Sequence, residues 1–338
     1  MDLFLAVASL FAAVIPMFAY LMIIWWMDRN EREPFWLILL NFFWGATGAI
    51  FLAILGSIIF QIPLNVLIES VADGDPSELL DLSGAVITAP LVEEFTKGIF
   101  LVLMSMTKRF DGVVDGVVYG GAIGLGFGMT ENFMYFLFYG TTPVSWVMIV
   151  IIRTLFSAVM HCLAQASFGA FLGYAKFKPF IYKIILIPTG YFLAVFLHFV
   201  WNLTVSFEET TLVGFAFLVL YLMAIVAVFQ IALYLESKTI AKELHDESLQ
   251  GVIHKDHLHY LPYVTRRNSR GWLPPKVNQK EYIRLSVKLA LRKYQHRNIS
   301  GSKKTEYWKE VELHRYKIQM IYYHAGLPYN NIPQENKS

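Results

Sequence analysis

Seven mostly apolar stretches follow one another along the first 235 positions, parted by short polar connections: roughly 3–26, 35–60, 83–106, 112–139, 145–173, 181–205 and 211–235. Crossing ~30 Å of hydrocarbon takes about 20 helical residues, because a helix satisfies its own backbone donors and acceptors where lipid offers none. The lengths therefore predict about seven spanning helices, an all-α polytopic transmembrane bundle over 1–236. From Ser237 the pattern changes. The stretch 237–338 is polar, with helical segments expected at 280–296 and 305–323 on either side of the breaker Asn298-Ile299-Ser300-Gly301. It reads as a small, water-soluble helical tail.

Composition agrees: 56% of the 338 residues are hydrophobic and only 16% charged, outside the balance of a soluble domain. Charge adds a direction. The net +2 divides into 9 basic and 17 acidic side chains up to Glu236, and 19 basic and 9 acidic after it. Within the bundle, bases collect in alternate connections, at Arg29 and Arg32, at Lys108 and Arg109, and at Lys176, Lys178 and Lys183. The connection with Glu69, Asp73, Asp75, Glu78 and Asp81 has none, and neither does the one with Glu208 and Glu209. Basic connections stay in the cytoplasm, so the N-terminus is expected outside and the C-terminus in the cytoplasm of a cell membrane. A basic tail beside anionic lipid needs no nucleic-acid partner, and none is expected. Its His254, His257 and His259 lack the second ligand pair of a zinc framework. Cys162, the single cysteine, rules out an intrachain disulfide and a cysteine-rich metal site. The apolar opening lacks a signal peptide's basic start and cleavage site, and reads as a retained first helix.

Ionisable groups near the centre of a span cost ~2.5 to 3.5 kcal/mol each on insertion scales and point to function by default. They are Glu93, Glu94, Lys97, Glu131, Arg153, His161 and His198. Two carboxylates beside Lys97 leave a surplus acid, and Arg153 is available to balance one. Counted at ~1.5 Å per residue from the outer ends, Glu93, Glu94, Glu131, His161 and His198 come from four helices into one layer of the outer half-membrane. His198 and Asn202 stack on one helix face, able to grip a water, a metal or an oxyanion. Gly112, Gly116, Gly120, Gly124 and Gly128 form a small-residue ridge whose next step is Asn132, which turns Glu131 and Asn132 inward. No dinucleotide loop follows a strand, and H-E-x-x-H, G-x-S-x-G and G-x-x-x-x-G-K-[ST] are absent. Two chemistries suit such a layer. One is peptide hydrolysis, which needs an activated water and an oxyanion donor. The other is ion-coupled transport through a carboxylate and histidine relay, against which stands the lack of an internal repeat.

Taken in order, Glu93-Glu94-x-x-Lys97, Phe127-x-x-x-Glu131-Asn132, His161 and His198-x-x-x-Asn202 resemble the PrsW family of intramembrane proteases, relatives of the CAAX prenyl endopeptidases. Asp28-x-x-Glu31-x-Glu33-Pro34 and the run from Asp115 to Phe127 support the resemblance, which covers about 15–205 and leaves the tail unmatched. It implies cleavage of a peptide bond in or near the membrane, in the type member the site-1 cut of an anti-sigma factor on its extracytoplasmic side. The prenyl-protease pattern has a histidine where this chain has Glu131, and His161 is an addition, so roles do not transfer one for one. In the implied chemistry Glu93 or Glu94 is the expected general base. Glu131, His161 and His198 are expected to place a divalent metal, zinc foremost, or the water itself in a metal-free glutamate mechanism. Asn202 is expected to help hold the oxyanion, with Lys97, Asn132 and Arg153 in support. Membrane lipid and a single-span membrane-protein substrate are the expected partners.

Overall fold

The computed structural model describes residues 3–299 and 301–326, and among them there is helix and no strand. α1 is Leu3–Met27, α2 Phe35–Val71, α4 Val113–Phe138, α5 Pro143–Ala175, α6 Phe180–Val205 and α7 Glu208–Leu249, all six long and apolar enough to cross a membrane. α3 runs over 77–105 as Ser77–Ser83, a π turn at Gly84–Thr88, and Ala89–Ser105. It holds the place of the third predicted span but carries Glu93, Glu94 and Lys97. Among the described residues the polytopic bundle thus has six strongly apolar helices and one charged one. α2 and α7 run well past their predicted ends at 60 and 235. Hydropathy marks where lipid stops, whereas a helix stops at a breaker, and α7 meets none before Gly251.

The chain forms two compact units, one of Met1–Asp28 with Glu33–Phe229, the other of Arg29–Arg32 with Gln230–Ser338. In the first, lipid tails are as apolar as leucine, so helices hold together through close packing and polar contacts rather than through water exclusion. α4 supplies the close packing. A methyl group added at Gly116, Gly120 or Gly124 would run into the backbone carbonyls of Gly169, Gln165 and His161 on α5. One added at Gly126 would meet the carbonyl of Phe42 on α2. α4 therefore lies backbone to backbone against both neighbours, and its ridge seats the stretch of α5 that carries His161 and Gln165.

α2 and α5 also contain π turns, at Trp44–Ala49 and Arg153–Ser157. The π turn of α3 has a visible cause. Pro90 has no N–H to give the carbonyl one turn back, and the N–H of Ala89 reaches five residues back to Gly84. The carbonyl of Ala85 is left without its helical donor.

In the second unit α8, Gln279–Asn298, and α9, Ser302–His324, pack with Ile240 and Leu244 of α7 around Leu285, Leu289, Val311 and Ile318. They fall where the two tail helices are predicted. Asn278 caps α8 by accepting from the N–H of Glu281. Glu247, fully buried, accepts from Lys293 and Arg315. His257 sits inside, its Nδ1 2.9 and 3.0 Å from the hydroxyls of Tyr282 and Tyr322. Arg267 donates to the carbonyls of Arg29 and Asn30.

Candidate active site

Neighbours on a helix point about 100° apart, so Glu93 and Glu94 face different surroundings. Glu94 turns into the bundle with no exposed side-chain surface, while 15% of the Glu93 side chain stays open. Lys97, one turn on, reaches both, at 2.7 Å to Glu94 Oε1 and 3.4 Å to Glu93 Oε2. Its third contact is His161 Nδ1 at 2.9 Å. The three donors of a fully buried ammonium thus have three acceptors, and the ring of Phe127 lies 3.8 Å beneath it.

Glu94 is the hub. Oε1 also accepts from His198 Nδ1 at 2.8 Å, and Oε2 accepts from Gln165 Nε2 at 2.7 Å. That Gln165 amide also donates to the Glu94 carbonyl at 3.0 Å. Gln165 did not figure among the sequence candidates. Its signal was its spacing of four from His161, which puts it one turn along the same face of α5.

Glu131 takes a 2.8 Å ion pair from Arg153 Nη2 and lies 2.6 Å from His161 Nε2. Arg153 also donates through Nε to Asn132 Oδ1 at 3.0 Å and stacks 3.6 Å over Tyr135. The structure therefore brings Glu93, Glu94, Lys97, Glu131, Asn132, Arg153, His161 and His198 into one cluster. The carboxylate grouped with the two imidazoles is Glu93 rather than Glu131. One oxygen of Glu93 and one nitrogen each of His161 and His198 lie within 4.8 Å of one another, and the two rings meet edge to face at 4.9 Å.

Asn202 is placed differently. Its amide donates at 2.7 Å to the carbonyl of Ala85, the one freed by the π turn ahead of Pro90. It braces α6 against α3 one turn further along α6 than His198.

An ammonium can only donate, so Lys97 makes His161 Nδ1 an acceptor, and the ring proton then sits on Nε2 toward Glu131. His198 is turned the other way, Nδ1 on Glu94, with Nε2 free of protein partners among the described residues. Three carboxylates against Lys97 and Arg153 leave one negative charge in a poorly solvated place, and that charge calls for a proton or a cation. Asn132 Nδ2, Thr154 Oγ1 and Gln165 Oε1 are buried without a protein partner, which is where bound water belongs.

Fold and centre together define a class, that of enzymes whose acid, imidazole and ammonium groups are assembled inside the membrane from separate spanning helices. Residues 33–230 match the PrsW family of intramembrane metalloproteases. Protease PrsW of Oceanobacillus iheyensis is 26% identical over 211 residues, 62% of this chain and 88% of that protein. Protease PrsW of Bacillus subtilis is 27% identical over 174 residues, 51% of this chain and 70% of that protein. No solved structure matches the chain. The chain belongs to the PrsW family and is an integral membrane peptidase that carries out intramembrane proteolysis.

Proposed function

We propose that the centre hydrolyses a peptide bond of a single-span regulatory protein with a divalent metal ion, zinc first among them, held by Glu93, His161 and His198. The observation that carries this reading is the approach of those three donors to within 4.8 Å. A carboxylate with two imidazoles is a common zinc set and leaves a fourth position for water. The orientation of His198 by Glu94 is the usual outer support of a ligating histidine. His161 would ligate through Nδ1, the nitrogen whose lone pair Lys97 engages here, and would keep its Nε2 proton toward Glu131. A metal bound there would lower the pKa of its water and polarise the scissile carbonyl.

The geometry favours exchanging the roles expected of Glu93 and Glu131. Glu131 is 17% exposed and sits next to His161. It is the carboxylate left to take the proton of the attacking water and return it to the leaving amine as the C–N bond breaks and the C–O bond forms. Arg153 holds it in place. Glu94, Lys97 and Gln165 act through His198 and His161, and Asn202 braces the opened turn of α3. The N-terminus lies outside and the tail in the cytoplasm, so the layer opens on the extracytoplasmic side. An anti-sigma factor cut there is the substrate type the family resemblance favours.

A metal-free reading has one observation in its favour: both nitrogens of His161 are engaged by protein groups. Glu93 would then take the proton of the water directly. The test is metal content and cleavage on the same preparation. Wild type and Glu93→Gln, purified in detergent, are assayed for zinc and incubated with single-span membrane proteins. About one zinc per chain, lost with activity in Glu93→Gln, is expected. Cleavage by a metal-free wild type would move the chemistry to the Glu93 and histidine pair.

A further inference from the structure

At their outer ends α2 and α3 part around a cleft of about 510 Å³ lined on one side by Gln61 and Asn65 and on the other by Asp81, Gly84, Ala85 and Thr88. That is within the usual range for a ligand-binding cleft. Its position matters first. Gln61 stands 26 residues into α2, about 39 Å along the axis at ~1.5 Å per residue, beyond the ~30 Å of hydrocarbon. The cleft is at the outer interface.

It also leads to the catalytic centre. The α3 wall steps through Asp81, Gly84, Ala85, Thr88 and Ala89, and one more helical turn along that face from Ala89 is Glu93. Its polar groups are held ready by one another. Gln61 Nε2 donates to Asn65 Oδ1 at 2.8 Å and to Ser83 Oγ at 3.1 Å, and its Oε1 accepts from the Thr88 hydroxyl. A methyl group at Gly84 would only touch Gln61, at 3.8 Å, so there is room above the π turn.

A peptide bond in an intact helix is shielded, so a substrate must be extended where it is cut. An extended segment at the membrane interface exposes N–H and C=O groups that need partners. Side-chain amides offer a donor and an acceptor each. Asp81 is exposed at the mouth, and the stretch 63–96 holds no Lys or Arg to oppose it.

We propose that this cleft takes the extended segment of the substrate just outside its spanning helix. Gln61 and Asn65 exchange their mutual bonds for bonds to its backbone, and Asp81 selects for a Lys or Arg in that segment. The proposal rests on the proteolytic reading of the Glu93 centre and names where that reaction obtains its specificity.

The probe is a designed single-span reporter, a Leu/Ala span followed on its outer side by a Gly/Ser/Thr flank with two positions set to Lys, Ser or Asp. Full-length enzyme with a photo-crosslinking amino acid at Asn65 is mixed with each reporter in lipid nanodiscs, and crosslinking and cleavage are both read. Crosslinks should map to the outer flank and favour Lys over Asp by about three- to fivefold, the size of one exposed charge pair. Asp81→Lys should reverse the order. Crosslinks absent from all three reporters, or indifferent to flank charge, overturn the proposal. Because crosslinking needs no turnover, flank-dependent crosslinks without cleavage would sustain the cleft and count against the hydrolytic reading. Cleavage with flank-indifferent crosslinks would do the reverse.

Discussion

Glu94 is bonded by Lys97, His198 and Gln165 and has no open surface, while Glu93, one residue earlier, keeps part of its carboxylate accessible. The two should fail differently. Glu94→Gln removes the main counter-charge of a buried ammonium, and breaking a buried pair costs about 3–5 kcal/mol. Cleavage should be lost together with a clear drop in thermal midpoint, measured in detergent. Glu93→Gln should lose cleavage while stability changes by less than about 1 kcal/mol, since a partly solvated pair contributes little. Equal melting of the two variants would contradict the division of a buried hub from an accessible carboxylate. The polar residues of the layer were legible in the sequence because charge inside an apolar run is conspicuous. Their pairing was not. Whether Glu93 or Glu131 joins the imidazoles depends on side-chain directions set across four helices, and an uncharged residue such as Gln165 carries little weight until its partner is in view.

At the scale of helices, the spans could be read from hydropathy, and the glycine ridge from its spacing of four. The π turns could not, although Pro90 offered a hint, because where the lost donor is compensated depends on what another helix brings alongside. Asn202 shows the consequence. It was expected to hold an oxyanion, and removing such a donor costs roughly 10²–10³ in kcat. As the partner of a solvent-accessible carbonyl at Ala85 it can be replaced by water, so Asn202→Ala should lower kcat by less than about tenfold. A hundredfold loss at unchanged KM would return Asn202 to the reacting atoms. The ridge makes the opposite kind of prediction. Gly124→Ala changes no polar group, yet its methyl meets the His161 carbonyl. Overpacking of this kind costs about 1–3 kcal/mol, and here the displaced backbone is the one that carries the imidazole. Activity should therefore fall further than the thermal midpoint suggests, whereas Gly112→Ala, with open space around its added carbon, should do neither.

Across the whole molecule, the change from an acidic to a basic balance near Glu236 accompanies a change in how the fold is held. The first unit depends on close helix contact in lipid, the second on a water-excluded core with buried ion pairs such as that of Glu247 with Lys293 and Arg315. His257 ties the stability of the second unit to pH. Its Nδ1 accepts from the Tyr282 hydroxyl, which in turn accepts from that of Tyr322, an arrangement that needs the neutral ring, and burial lowers its pKa to about 4 from 6.5. Above pH 6.5 neither the folded nor the unfolded form is protonated there, and the stability is intact. Between 6.5 and 4 the unfolded chain binds a proton that the folded one refuses, so stability falls with pH across that window and levels off below it. The loss is on the order of 2 kcal/mol once partial solvent screening is allowed for. Amide exchange of α8, corrected for its intrinsic pH dependence, should show weaker protection at pH 5 than at pH 7. His257→Asn keeps an acceptor for the Tyr282 hydroxyl without a titrating ring and should flatten that dependence. A wild type equally protected at both values would mean that the ring is not held neutral by its surroundings. The tyrosine hydroxyls would then be stabilised by contact with each other, which the 3.0 Å between Tyr322 and Tyr282 allows.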